Sequence, residues 1–286
     1  MRMKILTIVM GILFVSCETE EEIKYNIFNY EKKLIVEGFI SSDNKIVVTV
    51  GKTLPPLTRV TDTTDLSVKG AKIRVLADEV PLFYLDEQET GYFVSPDTFT
   101  AKKHTKYRLE ITAEGFQSAI SEPVYLPVTP QLDTVTILQI GLLHYIQLKF
   151  YDYDLNKNYY YMQRYIYHNG NEKAEEYFNW HNSLDPIFYP SGIIDDHMFN
   201  GKNYEIRDFL PTTYDDVRAD SVKVAFYTLS DELVKYLKSL DKLDLTKDDM
   251  WQEIPTQVFS NILGGYGIFY SFSQKSVIVK IQNLSN

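Results

Sequence analysis

Cys17 is the one residue whose neighbours spell out a chemistry. Arg2 and Lys4 give a short positive start, Ile5 to Val15 form an apolar run, and Phe14-Val15-Ser16 lead into the chain's single cysteine. Charge, length and a small residue ahead of cysteine make the layout of a secretory signal ending in a lipobox. The chemistry this predicts is acylation. Residues 1–16 are then cut away as a leader, and Cys17 becomes the mature N-terminus. The apolar run is too short to span a bilayer, which takes about 20 such residues. The alternative reading is an ordinary buried cysteine. Each buried CH₂ of an acyl chain contributes about 0.8 kcal/mol, and several chains on one cysteine keep a soluble domain on its membrane. With Cys17 used as an anchor, no thiol remains for a disulfide or for catalysis.

Glu18, Glu20, Glu21 and Glu22 follow directly. Like charges at a terminus repel and keep it solvated, so residues 17–32 read as an acidic tether. A second reading treats the block as an address. It resembles the acidic export signal that surface-exposed lipoproteins of the Bacteroidota carry after their lipidated cysteine. Receptors read such tags.

Other chemistries find little foothold. His104, His144, His168, His181 and His197 never form His-Glu-x-x-His, so the zinc-protease helix is absent. His197 after Asp195-Asp196 offers ligand types from one loop, but acidic loop dipeptides are ordinarily just solvated. His144 and His168 alternate with apolar neighbours and read as strand histidines. Asp152-x-Asp154-x-Asn156 has the oxygen spacing that opens a calcium loop. Lys157 then stands where that loop needs glycine, and Gln163 where it needs a bidentate acid. An acidic turn is the preferred reading. There is no Gly-x-Ser-x-Gly elbow. Gly264-Gly265-Tyr266-Gly267 feeds a β-like run, Ile268–Phe272, rather than a helix, and so predicts a tight turn or bulge instead of a phosphate cradle. We assign no catalytic residue, no metal and no cofactor. Paired carboxylates for glycoside hydrolysis are a spatial feature that spacing alone does not reveal.

Aromatic residues make the best recognition feature. Tyr159, Tyr160, Tyr161, Tyr165, Tyr167, Tyr177, Phe178 and Trp180 cluster within a short stretch. Strand alternation puts Tyr159, Tyr161, Tyr165 and Tyr167 on one face, with Tyr160, Met162 and Ile166 on the other. One face is core. An exposed second face would make a platform for a sugar, a peptide or a partner protein; packing on both faces is the alternative. Tyr159, Tyr161, Tyr165, Tyr167 and Trp180 are the candidate contact residues.

These residues need a scaffold, and composition points to β-structure. The chain holds 22 tyrosines and 16 phenylalanines against only 13 glycines and 11 prolines. Its formal charge of −10 becomes more negative once Arg2 and Lys4 leave with the leader, and no basic patch appears, which excludes nucleic acid. Lys33–Ile40 and Lys45–Val50 read as a hairpin joined by Ser41-Ser42-Asp43-Asn44. Ala71, Ile73, Val75 and Ala77 alternate with Lys72, Arg74 and Asp78. Tyr107, Leu109, Ile111 and Ala113 alternate with Lys106, Arg108, Glu110 and Thr112. Such period-two runs are half-buried antiparallel strands. Further strands are predicted at Leu143–Tyr151, Tyr159–His168, Ser221–Thr228, Gly267–Ser273 and Ser276–Ile281. One helix is predicted after Ser230, with Asp231 and Glu232 in its first turn and Leu233, Leu237 and Leu240 on one face.

Two resemblances follow. Leu34-Ile35-Val36-Glu37-Gly38-Phe39-Ile40, Val68-Lys69-Gly70-Ala71-Lys72-Ile73, Gly91-Tyr92-Phe93, Tyr107-Arg108-Leu109 and Ala113-Glu114-Gly115-Phe116 resemble the ordered landmarks of carboxypeptidase-regulatory-like sandwiches. Such modules are structural or binding domains. Further on come Asp154 with Asn158-Tyr159-Tyr160, then Asp195 to Gly201, then the closing stretch from Pro255 to Phe269. With the lipobox, these resemble the domain-of-unknown-function family 4249, lipoproteins of the Bacteroidota, over nearly the whole mature chain. Members are often encoded near TonB-dependent outer-membrane transporters, which implies an accessory or ligand-binding role. The family carries no established catalytic residues.

The expected fold is mostly β. It comprises an immunoglobulin-like sandwich over residues 33–128 and a second β-rich domain with one helix over residues 129–286. The expected protein is a non-enzymatic lipoprotein anchored in the outer membrane and exposed at the cell surface. It serves a TonB-dependent transporter and binds a small-molecule, peptide or glycan ligand. Two other classes remain in view: an adhesin or envelope-assembly protein whose sandwich pairs by strand exchange, and a glycan hydrolase.

Overall fold

The computed structural model describes residues 30–43, 45–55, 58, 66–141, 143–152, 157–168, 171–173, 192–210, 213–214, 217–246 and 257–281. The chain divides into two units. One comprises Met1–Glu31 with Pro55–Thr58, where the Thr58 amide donates to the Pro55 carbonyl at 3.2 Å. The other comprises Lys32–Leu54 with Arg59–Asn286 and holds every strand and helix below.

The first strands are β1 (Leu34–Ser41), β2 (Ile46–Lys52), β3 (Lys72–Ala77), β4 (Val80–Tyr84), β5 (Asp86–Glu89) and β6 (Tyr92–Val94). They are followed by β7 (Lys106–Thr112), β8 (Ala119–Ser121), β9 (Val124–Tyr125), β10 (Gln131–Ile140), β11 (Leu143–Tyr151), β12 (Tyr159–His168), β13 (Asn171–Lys173) and β14 (Ile194–Asp195). The chain closes with β15 (Asn203–Leu210), β16 (Thr213–Tyr214), β17 (Val217–Arg218), β18 (Ser221–Leu229), helix α1 (Asp231–Thr246), β19 (Ile262–Leu263) and β20 (Tyr266–Lys280). The protein is mostly β, as its composition predicts. No helix among the described residues is long and apolar enough to cross a membrane.

One long sheet organises everything else. Its order is β13-β12-β18-β20-β1-β2-β6-β5, with β14 also pairing β12. It takes strands from both regions delimited in the sequence, because β20 runs parallel to β1 with Ile35 beside Tyr266 and Phe39 beside Tyr270. A six-stranded sheet, β19-β8-β7-β3-β4 with β9 against β7, and a three-stranded sheet, β10-β11-β15, lie apart from it. A small β16-β17 ladder completes the set.

Alternation along the strands decides what packs where. Val36, Val48 and Phe93 of the long sheet share a core with Ile73, Leu109 and Ile111 of the six-stranded sheet, which makes a β-sandwich. The predicted alternation of β3 and β7 holds: Ile73, Val75, Tyr107, Leu109 and Ile111 are buried, while Lys72, Lys106 and Thr112 face water. Arg74 and Glu110, directly opposite on the outer face, form an ion pair. Further along the long sheet, Tyr160, Ile166, Val224 and Phe226 form a second core with Ile146, Leu148 and Phe150 of the three-stranded sheet. The opposite face of the long sheet carries the third core, described below with α1.

Several short strands, β4, β5, β8, β9, β13, β14, β16, β17 and β19 among them, were not predicted, and three longer elements also differ from expectation. Residues Tyr266–Lys280 form one strand instead of two, because β18 pairs with it without a break from Ser221↔Lys280 to Leu229↔Phe272. β10 and β15 were not anticipated; they flank β11 and complete the sheet that covers Phe150 and Tyr160. Helix α1 stands where predicted. Its cap is Ser230, whose Oγ accepts the Leu233 amide at 3.4 Å. Leu233, Val234 and Leu237 are buried, while Leu240 is half-buried.

Candidate functional site

Strand register assembles the site. On the face of the long sheet that carries Tyr159, Tyr161 and Tyr165, cross-strand pairing sets Tyr161 beside Tyr227, Gln163 beside Ala225 and Tyr165 beside Lys223. β20 continues the rows with Gln274 beside Tyr227 and Ser276 beside Ala225. This face divides into two parts. At one end Tyr159 and Tyr161 are buried in a core with Leu229, Tyr270 and the α1 residues Leu233, Val234 and Leu237. At the other end lies a half-open groove of about 290 Å³, at the small end of the roughly 300–1,000 Å³ range of ligand pockets.

Buried aromatic rings of that same core close the floor of the groove. Phe39 and Phe272 lie with centroids 5.3 Å apart, and Tyr227 meets Phe272 edge-on at 5.9 Å. Ala225, between Lys223 and Tyr227 on the same face, leaves room for the cavity by carrying only a methyl group. The tyrosine hydroxyls are anchored: Tyr165 donates to Gln163 Oε1 at 2.8 Å and Tyr227 to the same oxygen at 3.2 Å. Burial first, and Tyr165 second, push the Tyr227 phenol well above its ordinary pKa, so Tyr227 stays a neutral donor.

Polar groups complete the lining. Lys223 Nζ stands 4.9 Å from the centroid of the Tyr165 ring, a cation–π contact. Gln274 Nε2 donates to Asp43 Oδ2, and the Gln274 amide donates to Ser42 Oγ at 3.0 Å. Ser276 and Lys45 are exposed. Neither Lys45 nor Lys223 has a carboxylate partner among the described residues. An apolar floor with convergent ammonium, hydroxyl, amide and carboxylate groups is an arrangement for holding a small polar ligand.

The sequence-predicted residues separate on this geometry. Tyr165 lines the groove. Tyr167 is half-buried on the same face. Tyr159 and Tyr161 do not form an open platform; they are buried because α1 supplies apolar side chains to their core. Tyr160, Met162 and Ile166 pack on the opposite side, as core. Cys17, Glu18, Glu20, Glu21, Glu22 and Trp180 lie outside the described residues. Phe39, Tyr92, Lys223, Gln274 and Ser276 were missed, since only strand pairing brings them to Tyr165.

The remaining polar motifs hold the fold. Asp152 is fully buried and accepts from the Tyr160 hydroxyl, from Asn158 Nδ2 at 3.1 Å and from the Gly201 amide at 2.8 Å. Asp196 accepts the Asn158 amide at 2.7 Å, while exposed Asp195 faces Lys157 at 3.8 Å. These carboxylates are spent on tying the loop before β12 to the loop before β15. Asp154, Asn156 and His181 lie outside the described residues. Among the described residues no group of three or more His, Cys, Asp or Glu is placed to hold a metal ion.

The closing stretch is a clasp. Asn261 turns its buried side chain onto the backbone of Phe269, donating from Nδ2 to the carbonyl at 2.7 Å and accepting the amide on Oδ1 at 2.8 Å. Gly267, at φ +112°, lets β20 settle against β1: a Cβ there would lie 1.9 Å from the Val36 carbonyl oxygen. Asn158–Tyr160, Asp195–Gly201 and Asn261–Phe269 thus serve the fold where they are described. No curated protein matches this chain. A family described as a domain of unknown function (DUF4249) matches residues 20–278, and the chain belongs to that family.

Proposed function

We propose that this protein is a lipid-anchored, non-enzymatic binding module at the outer surface of the outer membrane, an accessory subunit of a TonB-dependent uptake complex. The lipobox ending at Cys17 supports the anchor, and the acidic block Glu18 to Glu22 supports surface display. The observation that carries the binding role is the groove around Tyr165 and Lys223, with its aromatic floor and unspent polar groups. The sandwich built on β1, β2, β3 and β7 is immunoglobulin-like in this reading, and its strands β1 and β2 also line the groove. Among the described lining residues the groove offers one carboxylate, Asp43, whereas glycoside hydrolysis uses two, about 5–10 Å apart. That favours binding over hydrolysis.

The test is a pull-down of the tagged protein from detergent-solubilised outer membranes. An outer-membrane transporter recovered in stoichiometric amount is the expected outcome; recovery of none contradicts the accessory role. In the same cells, Cys17→Ala should abolish fatty-acid labelling and release a soluble form. Unchanged membrane retention would defeat the anchor.

One observation favours a second reading, an adhesin or envelope-assembly protein. Edge strand β4 exposes Val80 (61%), Leu82 (48%) and Tyr84 (57%), a row that could accept a partner strand. Pro81 in the same strand removes one backbone donor, which blunts that edge. Assembly through β4 predicts that Leu82→Lys disperses oligomers seen by light scattering; a monomer that Leu82→Lys leaves unchanged removes this reading.

A further inference from the structure

The charge of the groove is opposite to that of the chain that carries it. The protein has a formal charge of −10, yet two lysines, Lys45 and Lys223, line this cavity with one carboxylate, Asp43. Lys223 sits on a strand whose buried neighbours are Val222, Val224 and Ala225, and it is itself half-buried. Its position over the Tyr165 ring fixes the ammonium at the groove instead of leaving it to wander in solvent. An ammonium held beside an apolar floor, with no carboxylate partner among the described residues, is a site for an incoming anion.

The rest of the lining says what the anion is attached to. Asp43 and Gln274 are hydrogen-bonded to each other, which orients both and leaves Asp43 Oδ1 and Gln274 Oε1 for hydroxyl donors. Ser276 adds a hydroxyl that both donates and accepts. Phe39, Phe272 and Tyr227 are buried and close the floor, while half-buried Tyr92 and Tyr165 present ring surface at the wall, suited to the C–H face of a six-membered ring. About 290 Å³ holds one such ring and not an extended chain. Hydroxyl partners, an anion partner and a ring-sized apolar surface occur together in one class of small molecule.

We infer that the groove binds a carboxylated sugar ring, a hexuronic acid, with its carboxylate on Lys223, its hydroxyls on Asp43, Gln274 and Ser276, and its C–H face against the half-buried rings of Tyr92 and Tyr165. This rests on the groove being the binding site proposed above. Lys45, at the exposed rim, adds long-range attraction for the anion and weakens with salt.

Calorimetric titration of the full chain with D-glucuronate, D-glucose and acetate tests it. Glucuronate should bind at least about tenfold more tightly than either glucose or acetate, because each of those lacks one of the two features recognised. Lys223→Ala should bring glucuronate down to the level of glucose, and Lys223→Arg should restore most of the loss. Ser276→Trp, at an exposed rim position, should block all binding while leaving the unfolding midpoint unchanged. Glucose binding as tightly as glucuronate, with Ser276→Trp blocking both, overturns the anion assignment and leaves the groove itself standing. Acetate matching glucuronate overturns the sugar ring. Glucuronate binding that Ser276→Trp does not touch, or no binding of any probe, overturns the groove and this inference with it.

Discussion

The clasp at Asn261–Phe269 and the groove around Tyr165 are built from the same materials, polar side chains set among aromatic rings, and they use them oppositely. In the clasp the Asn261 side chain has both its donor and its acceptor engaged by Phe269, out of contact with water. In the groove two ammonium groups stand without carboxylate partners among the described residues, and Ser276 faces solvent. A saturated polar network fixes one backbone geometry; an unsaturated one over an apolar floor has capacity left for a ligand. Residue type does not separate the two cases. Saturation does.

The contrast is broken most severely at Gly267. Gly267→Ala forces a Cβ into the Val36 carbonyl at a φ that L-residues avoid, and should cost more than about 4 kcal/mol, enough to prevent stable folding. Urea unfolding close to that of the parent protein would mean that the β1–β20 junction does not hold the sheet together. Asn261→Ala comes next. It strands the amide and carbonyl of Phe269 in a buried site, at about 1–3 kcal/mol for each group, and should leave ligand binding per folded molecule unchanged.

A pH titration separates the regions more gently. Burial holds the Tyr227 phenol above its ordinary range, so the unfolded chain releases that proton at about pH 10 and the folded chain only above it. Above about pH 10 the unfolded state therefore binds fewer protons than the folded state, and stability falls as pH rises. Tyr227→Phe should flatten that fall; an unaltered slope would show that Tyr227 is not the group resisting ionisation. The smallest effect belongs to Lys223→Ala, within about 0.5 kcal/mol in unfolding, because no ion pair is lost.

Local pattern carried much of the fold. Ile73-x-Val75 and Tyr107-x-Leu109-x-Ile111 announced β3 and β7 because one face of each meets the sandwich core and the other meets water. Ser230 with Asp231 and Glu232 announced α1 because capping is a contact between near neighbours in sequence. What sequence did not display is pairing at long range. β20 lies beside β1, more than two hundred residues earlier, and no turn motif records that choice.

The site was half visible for the same reason. Tyr159, Tyr161 and Tyr165 share one face and one residue type, yet the first two are buried within the core that α1 shares, while the third packs half-buried at the margin of that core, against Lys223 and the groove. Only the packing above the strand distinguishes them. Phe39, Tyr92, Lys223 and Gln274 come from β1, β6, β18 and β20, and each taken alone is an ordinary strand residue. Lys223 is a charge inside the otherwise apolar run from Val222 to Phe226, the one local signal that could have drawn attention to it.

The most direct measurement maps a ligand onto the tyrosines. With tyrosine rings isotopically labelled and D-glucuronate as the probe, the account predicts shift changes at Tyr165, Tyr227 and Tyr92, with Tyr159 and Tyr161 unmoved beneath α1. Shifts centred on Tyr159 and Tyr161, or none at Tyr165 under saturating glucuronate, would contradict it.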